Sequence, residues 1–181
     1  MQEKFDVYGY INYYLNHTYN VVLAWKDIRM PLIENKVIDE FEFNKINEQI
    51  IWHDNSKISK EEFNAYGVKF FPLSTTEKNQ EEFKKAWEHH KENNLHHHQS
   101  LKDYNGPYRK CYLIEMICDW IAMGWETGNL AQDYYQNNKE KIDLDGEDKK
   151  IIECIFELIK QNNCISNGKV TNKEKALLYF K

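Results

Sequence analysis

Apolar residues recur along this chain at steps of three and four, and little interrupts them: only seven glycines and three prolines occur in 181 residues. That period lines one face of an α-helix, and the scarcity of breakers lets each face run for several turns. The expected fold is therefore an all-α, single-domain bundle of about six to seven helices. A hydrophobic fraction of 41% and a charged fraction of 29% suit a globular chain, and its length suits one domain. No repeat or linker divides it. A site-bearing part at about 7–138 is expected to precede packing helices at 139–181.

In the first expected helix, 7–29, Tyr10, Tyr14, His17, Val21, Ala24 and Ile28 form one stripe, and Pro31 follows its end. A second, 37–57, aligns Phe43, Ile46, Ile50, His53 and Lys57, with Asp54 beside them. Its inward stripe thus ends in polar groups. Ser59 reads as the cap of a short helix to residue 66, with Glu61 and Glu62 as helix-start or solvated charge. Residues 67–75 read as a loop whose Phe70 and Phe71 can line a substrate pocket, with covering the core the expected role. A helix at 76–93 places Phe83, Trp87 and His90 on one side, Asn94 extends that line, and 102–108 is a loop.

The most apolar stretch, 112–125, is interrupted by Glu115 and Asp119. Trp120 and Trp125 read as packing residues. Asp119 shares a face with Tyr112, Met116 and Met123, so it belongs inside, where a carboxylate must be protonated, paired or metal-bound. Helices at 129–138, 148–161 and 171–179 complete the reading. The acidic run Asp143, Asp145, Glu147 and Asp148 reads as helix-start or solvated charge, since it lacks the ligand ladder of a calcium loop.

A net charge of −5 argues against a long nucleic-acid partner and leaves a small nucleotide open. The N-terminus lacks a signal-peptide layout and no stretch is long and apolar enough for a membrane span, so a cytosolic location is expected. Cys111, Cys118, Cys154 and Cys164 form no CxxC pair and read as reduced core residues.

Histidine is distributed unevenly. All seven lie between His17 and His98, five of them within 89–98. Three inward polar points arise from separate helices: His17, the pair His53 and Asp54, and Asp119. A single buried histidine is commonly a satisfied core residue, but imidazole and carboxylate together suit Mn, Fe, Co, Ni, Mg or Zn. Ligands drawn from a bundle leave positions open for water and substrate, as catalysis requires. Lys57, one turn beyond His53, can offer a point charge to phosphate or cap its helix.

These residues resemble the HD-domain superfamily of metal-dependent phosphohydrolases: an isolated histidine, a His-Asp pair, then a distant aspartate in an apolar helix. His53 to Lys57 resembles the superfamily's HDxxK turn. The stretches WHDNSKISKEEF, AWEHHKENNLHHH and EMICDWIAMGWETGN are similar to an uncharacterised family of small phage and bacterial HD-like proteins, over roughly 10–138. The resemblance implies metal ligands at His17, His53, Asp54 and Asp119, and one or two divalent ions. His90 with His96 or His97 would hold a second ion or the substrate phosphate, although in the superfamily such histidines come from more widely separated helices.

The implied activity is hydrolysis of a nucleotide or another small phosphate ester by a metal-activated water. Asp54, Lys57 and His90 would be catalytic, and Lys57, Asn94 and Arg109 would bind substrate. His89 and His98 are expected bystanders. Two other readings stay open: an HD-type di-iron oxygenase, and a non-catalytic nucleotide-binding or interaction protein of phage origin.

Overall fold

Asp6 accepts a hydrogen bond from Gly9 N and so starts the first helix, α1, Val7–Glu34. The computed structural model describes residues 4–73 and 79–163. Within them follow α2 (Glu40–Ile51), a 3-10 turn (Asn55–Ile58), α3 (Phe63–Phe70), α4 (Gln80–Asn93), α5 (His98–Leu101), α6 (Arg109–Thr127), α7 (Ala131–Asn138) and α8 (Gly146–Gln161). The fold is all-α, with no strand among the described residues beyond a lone bridge between Phe5 and Pro72. The expected helix at 171–179, the start of the one at 76–93, and Cys164 lie outside the described residues.

Helices α1 and α6 form the spine. Val21, Ala24, Ile28 and Leu32 of α1 meet Leu113, Ile114, Ile117 and Ile121 of α6 in one fully buried core, which α2 and α8 close with Ile46, Ile50, Ile152 and Ile155. A smaller aromatic core joins the start of α1 to α3 and α4 through Phe5, Tyr10, Tyr66 and Ala86. His17 sits on α1 between the two cores. The functional residues therefore collect along this seam.

Several expectations change. Pro31 lies inside α1 rather than after it, and Asn35 N still donates to Pro31 O. A proline forfeits one helical hydrogen bond, and burial of Ile28 and Leu32 on the neighbouring turns offsets that loss. Helix α2 stops at Ile51, before the His-Asp pair, because Asp54 adopts a left-handed backbone (φ 56°) that no α-helix accommodates. Ser59 is not a side-chain cap: α3 begins at Phe63 and continues to Phe70 through the segment expected to be a loop.

Cys111 and Cys118 are buried, but Cys154 is exposed on the outer face of α8. Phe71 packs on Tyr10 and Tyr13, whereas Phe70 is 55% exposed and borders a cavity instead of covering the core. Gly128, at φ 76°, ends α6, and the chain turns back so tightly that a Cβ on Gly124 would lie 2.6 Å from Asn129 O. That turn sets α7 against the site.

Asp148 and Arg109 depart most from expectation. Asp148 is buried, not solvated, and Arg109 grips it with Nε at 3.0 Å and Nη2 at 2.6 Å while Nη1 donates to the carbonyls of Leu101 and Tyr104. Arg109 is thus a clamp between α6, α8 and the preceding loop, with its donors turned away from the histidines. Arg109→Ala should cost about 2–3 kcal/mol, because it leaves Asp148 buried without its cation. Chemical denaturation should show that loss while metal binding is retained.

Candidate metal centre

His53 and the left-handed Asp54 after it both turn their side chains inward, beyond the end of α2. His53 and Asp54 are both buried, as are His17 from α1, His90 from α4 and His96 from the turn after α4. Asp119 from α6 is 15% exposed and faces the same point. Histidines close in sequence converge here because α4 ends at Asn93 and the chain reverses at once, returning His96 and His97 beside His90.

Asp54 divides the cluster into two halves. Its Oδ2 lies 3.5 Å from His17 Nε2 and 3.6 Å from His53 Nε2, while Asp119 Oδ1 lies 3.1 and 3.8 Å from the same nitrogens. Its Oδ1 lies 3.2 Å from His90 Nε2 and 3.5 Å from His96 Nε2, and His97 Nε2 is 2.8 Å from His90 Nε2. Metal–ligand bonds of about 2.0–2.2 Å at tetrahedral or octahedral angles separate neighbouring donors by about 3.0–3.6 Å. These pairs lie near that spacing, and three sets of donors lie close enough together to share an ion: His17, His53 and Asp119; Asp54, His96 and His97; and His53, His96 and Glu115.

The outer contacts support the same assignment. His17 Nδ1 is 3.1 Å from Glu126 Oε1, His53 Nδ1 and His96 Nδ1 are 3.0 and 3.1 Å from Glu115 Oε1, and His90 Nδ1 is 2.8 Å from Glu62 Oε2. An ionised carboxylate only accepts, so each Nδ1 carries the hydrogen and each Nε2 faces the centre. There His17 Nε2, His53 Nε2, His96 Nε2 and Asp54 Oδ1 are buried with no properly formed hydrogen bond. Buried polar atoms left in this state have a large desolvation cost, which cations bound among them would relieve. The donors present could hold a metal ion.

Sequence reasoning missed these three glutamates. Glu62 was expected to be solvated, yet it is fully buried and also accepts from His89 Nδ1 at 2.7 Å. The available signal was Glu115 in an otherwise apolar helical stretch, since a buried charge there needs a partner. Lys57 lies in the 3-10 turn, whose three-residue repeat stacks its Nζ 2.6 Å from Asp54 Oδ2. Asn94 donates to Ser56 Oγ at 2.7 Å and to His90 O at 2.7 Å, so it ties the turn to the end of α4. His89 is half-exposed, and His98 accepts from Asp143 N at the surface.

The site's electrostatics are those of a cluster with protons where cations fit. Burial opposes charge on His17, but the carboxylates of Asp119, Asp54 and Glu126 beside its ring outweigh it and raise its pKa well above 6.5. Burial likewise opposes charge on His96, where Glu115 and Asp54 prevail and raise it to about 10. Burial favours the neutral form of Glu115, but His96 and His53 hold it down at about 2. His97 is lowered by burial and by repulsion from His96.

A group raised from 6.5 to about 10, such as His96, stabilises fully below 6.5 and progressively less as pH rises toward 10. A group lowered from 4.5 to about 2, such as Glu115, stabilises fully above 4.5 and progressively less as pH falls toward 2. Metal-free protein should therefore melt highest between those two windows. Metal binding must displace histidine protons, so affinity should rise with pH, and calorimetry in buffers of different ionisation enthalpy should report proton release.

Two cavities open beside the cluster. One, of about 510 Å³, is walled by Tyr13, Tyr66, Phe70, Phe71, Phe83 and Trp87 and reaches His17, Asp54, Lys57, His90, His97 and Asp119. The other, of about 570 Å³, lies between α6, α7 and the histidine turn and also reaches His96, His97 and Asp119. No helix among the described residues is long and apolar enough to cross a membrane. The chain matches the Family of unknown function (DUF5662) over residues 6–158. No curated protein and no solved structure matches it.

Proposed function

The chain belongs to this family of unknown function, and on that premise we propose that it is a metal-dependent hydrolase of small phosphate esters, nucleotides among them. One observation carries the reading: the two oxygens of Asp54 face two separate groups of imidazole Nε2 atoms, and His17, His53, His90 and His96 are each backed by a carboxylate. The order of His17, His53-Asp54 and Asp119 resembles the HD-domain superfamily, which supports the same chemistry.

His17, His53, Asp54 and Asp119 would hold one ion, and Asp54, His90, His96 and His97 the other. Bound divalent ions supply Lewis acidity toward a phosphoryl oxygen and water of lowered pKa. Lys57 holds Asp54 ionised and keeps a positive charge at the floor of the aromatic cavity, where an anion would enter. Asn94 and Ser56 fix the His90 ring, so that its Nε2 stays aimed at Asp54. Arg109, committed to Asp148, takes no part.

The test is elemental analysis of purified protein, followed by product release from a panel of phosphate esters with each metal, with His53→Ala as control. Two ions per chain and turnover abolished by that substitution are the expected results. The six-residue set of His17, His53, Asp54, His90, His96 and Asp119 also suits a di-iron oxygenase. Oxygen consumption by iron-loaded protein, with no ester cleavage, would favour that reading.

A further inference from the structure

The cluster is bordered by two cavities rather than one. Trp87, His97, Asp119 and Met123 line both, so the two spaces meet at His97 and Asp119, while His17, Asp54 and His90 face the first and His96 the second. A phosphate monoester has one organic substituent and would leave the second cavity filled with water. A diester has two substituents, and one can enter each space. The walls suit such groups: the first cavity is aromatic, and the second pairs Trp120 and Tyr134 with Thr127, Asn129, Asp133 and Asn137. Rings that stack on aromatic side chains and offer polar edges to amides would fit there.

Charge points the same way, by an independent route. Lys57 is the single lysine or arginine lining either cavity among the described residues, and Asp54 already engages it. The second cavity has no lysine or arginine and includes Asp119 and Asp133. A chain of phosphates extending from the cluster would meet carboxylates without compensating cations. A diester concentrates a single negative charge at the centre and leaves both arms neutral.

Resting on the hydrolase reading above, we propose that the substrate is a phosphodiester with two uncharged arms, such as two nucleosides joined by one phosphate, with one substituent in each cavity. Water adds to phosphorus, one P–O bond breaks, and that oxygen leaves as an alcohol carrying a proton. The other substituent remains on a phosphomonoester, and the second proton of water goes to solvent or stays on the new phosphate.

The test mixes manganese-loaded protein with bis(4-nitrophenyl) phosphate or 4-nitrophenyl phosphate, reading initial tryptophan quenching for binding and nitrophenolate release for turnover. Trp87 and Trp120 line the cavities and serve as reporters. The diester should bind about tenfold more tightly than the monoester and exceed it in kcat/KM, as expected for one additional buried ring. Thr127→Trp and Asn137→Trp alter exposed positions that narrow only the second cavity. Either should weaken bis(4-nitrophenyl) phosphate about fivefold or more while leaving methyl 4-nitrophenyl phosphate, with one large arm, within about twofold.

Equal or tighter binding of the monoester, or indifference of the bulky diester to both variants, overturns the proposal. Monoester turnover without diester preference leaves the hydrolase reading standing alone. Diester binding at both cavities without turnover supports the two-armed site and overturns hydrolysis. Binding of neither ester overturns both.

Discussion

Asp54→Ala should abolish metal retention in both halves of the cluster and lower turnover by at least about a thousandfold. The size of the effect follows from geometry. Each oxygen of this carboxylate serves a different set of imidazoles, so one substitution removes a donor from both sets. His53→Ala, by contrast, removes a donor from one half only. The expected readout is metal stoichiometry: Asp54→Ala should fall from two ions to none, and His53→Ala should retain part of the second.

The same substitution has a structural cost. Lys57 is largely buried against Asp54, and removing the carboxylate leaves its ammonium without a partner, at a cost of about 3–5 kcal/mol. Asp54→Asn keeps the volume and the left-handed turn, which asparagine also tolerates. It should fold better than the alanine variant yet still lose metal. Equal metal content in wild type and Asp54→Asn would refute the bridging role.

Glu115→Gln should weaken both ions about tenfold, and Glu115→Ala about a hundredfold, although Glu115 need not touch either ion. Its Oε1 accepts from Nδ1 of both His53 and His96, and those rings direct their Nε2 atoms to different halves of the cluster. Glutamine keeps an accepting oxygen but removes the negative charge that makes each imidazole a stronger donor. Alanine also releases the rings from their orientation. Titration with a chromophoric chelator should show both affinities falling together. Loss at one half alone would mean that the two rings are held independently.

The corresponding change at Glu126 should affect only the His17 half, because its Oε1 contacts His17 Nδ1 and Asn20 Nδ2 and no other centre histidine. This contrast distinguishes a shared outer carboxylate from a general loss of negative charge near the site. A uniform response to both glutamates would point to long-range electrostatics instead.

Local sequence was a good guide wherever the deciding interaction lay within a helical turn or two. The steps from Tyr10 to Ile28 gave the buried face of α1, and the apolar run around Ile117 gave the central helix. His17, His53, Asp54 and Asp119 were legible as inward polar points because each interrupts such a face. Helix ends were less legible. Asp54 does not look like a breaker, and its left-handed backbone opens a 3-10 turn in which Lys57 N donates to Asp54 O and Lys57 Nζ meets Asp54 Oδ2.

The sequence by itself determined the helical class, the faces that must be buried, and the order in which ligand-type residues occur. Hydrophobic periodicity is a short-range property, and those features depend on little else. Only the tertiary structure decided that Asp54 presents different oxygens to two imidazole groups, that Glu62, Glu115 and Glu126 stand behind those rings, and that Arg109 belongs to Asp148. Those pairings span 28 to 109 residues of chain. Such contacts depend on the three-dimensional course of the backbone, because the cost of burying a charge is relieved only by whichever partner that course brings within reach.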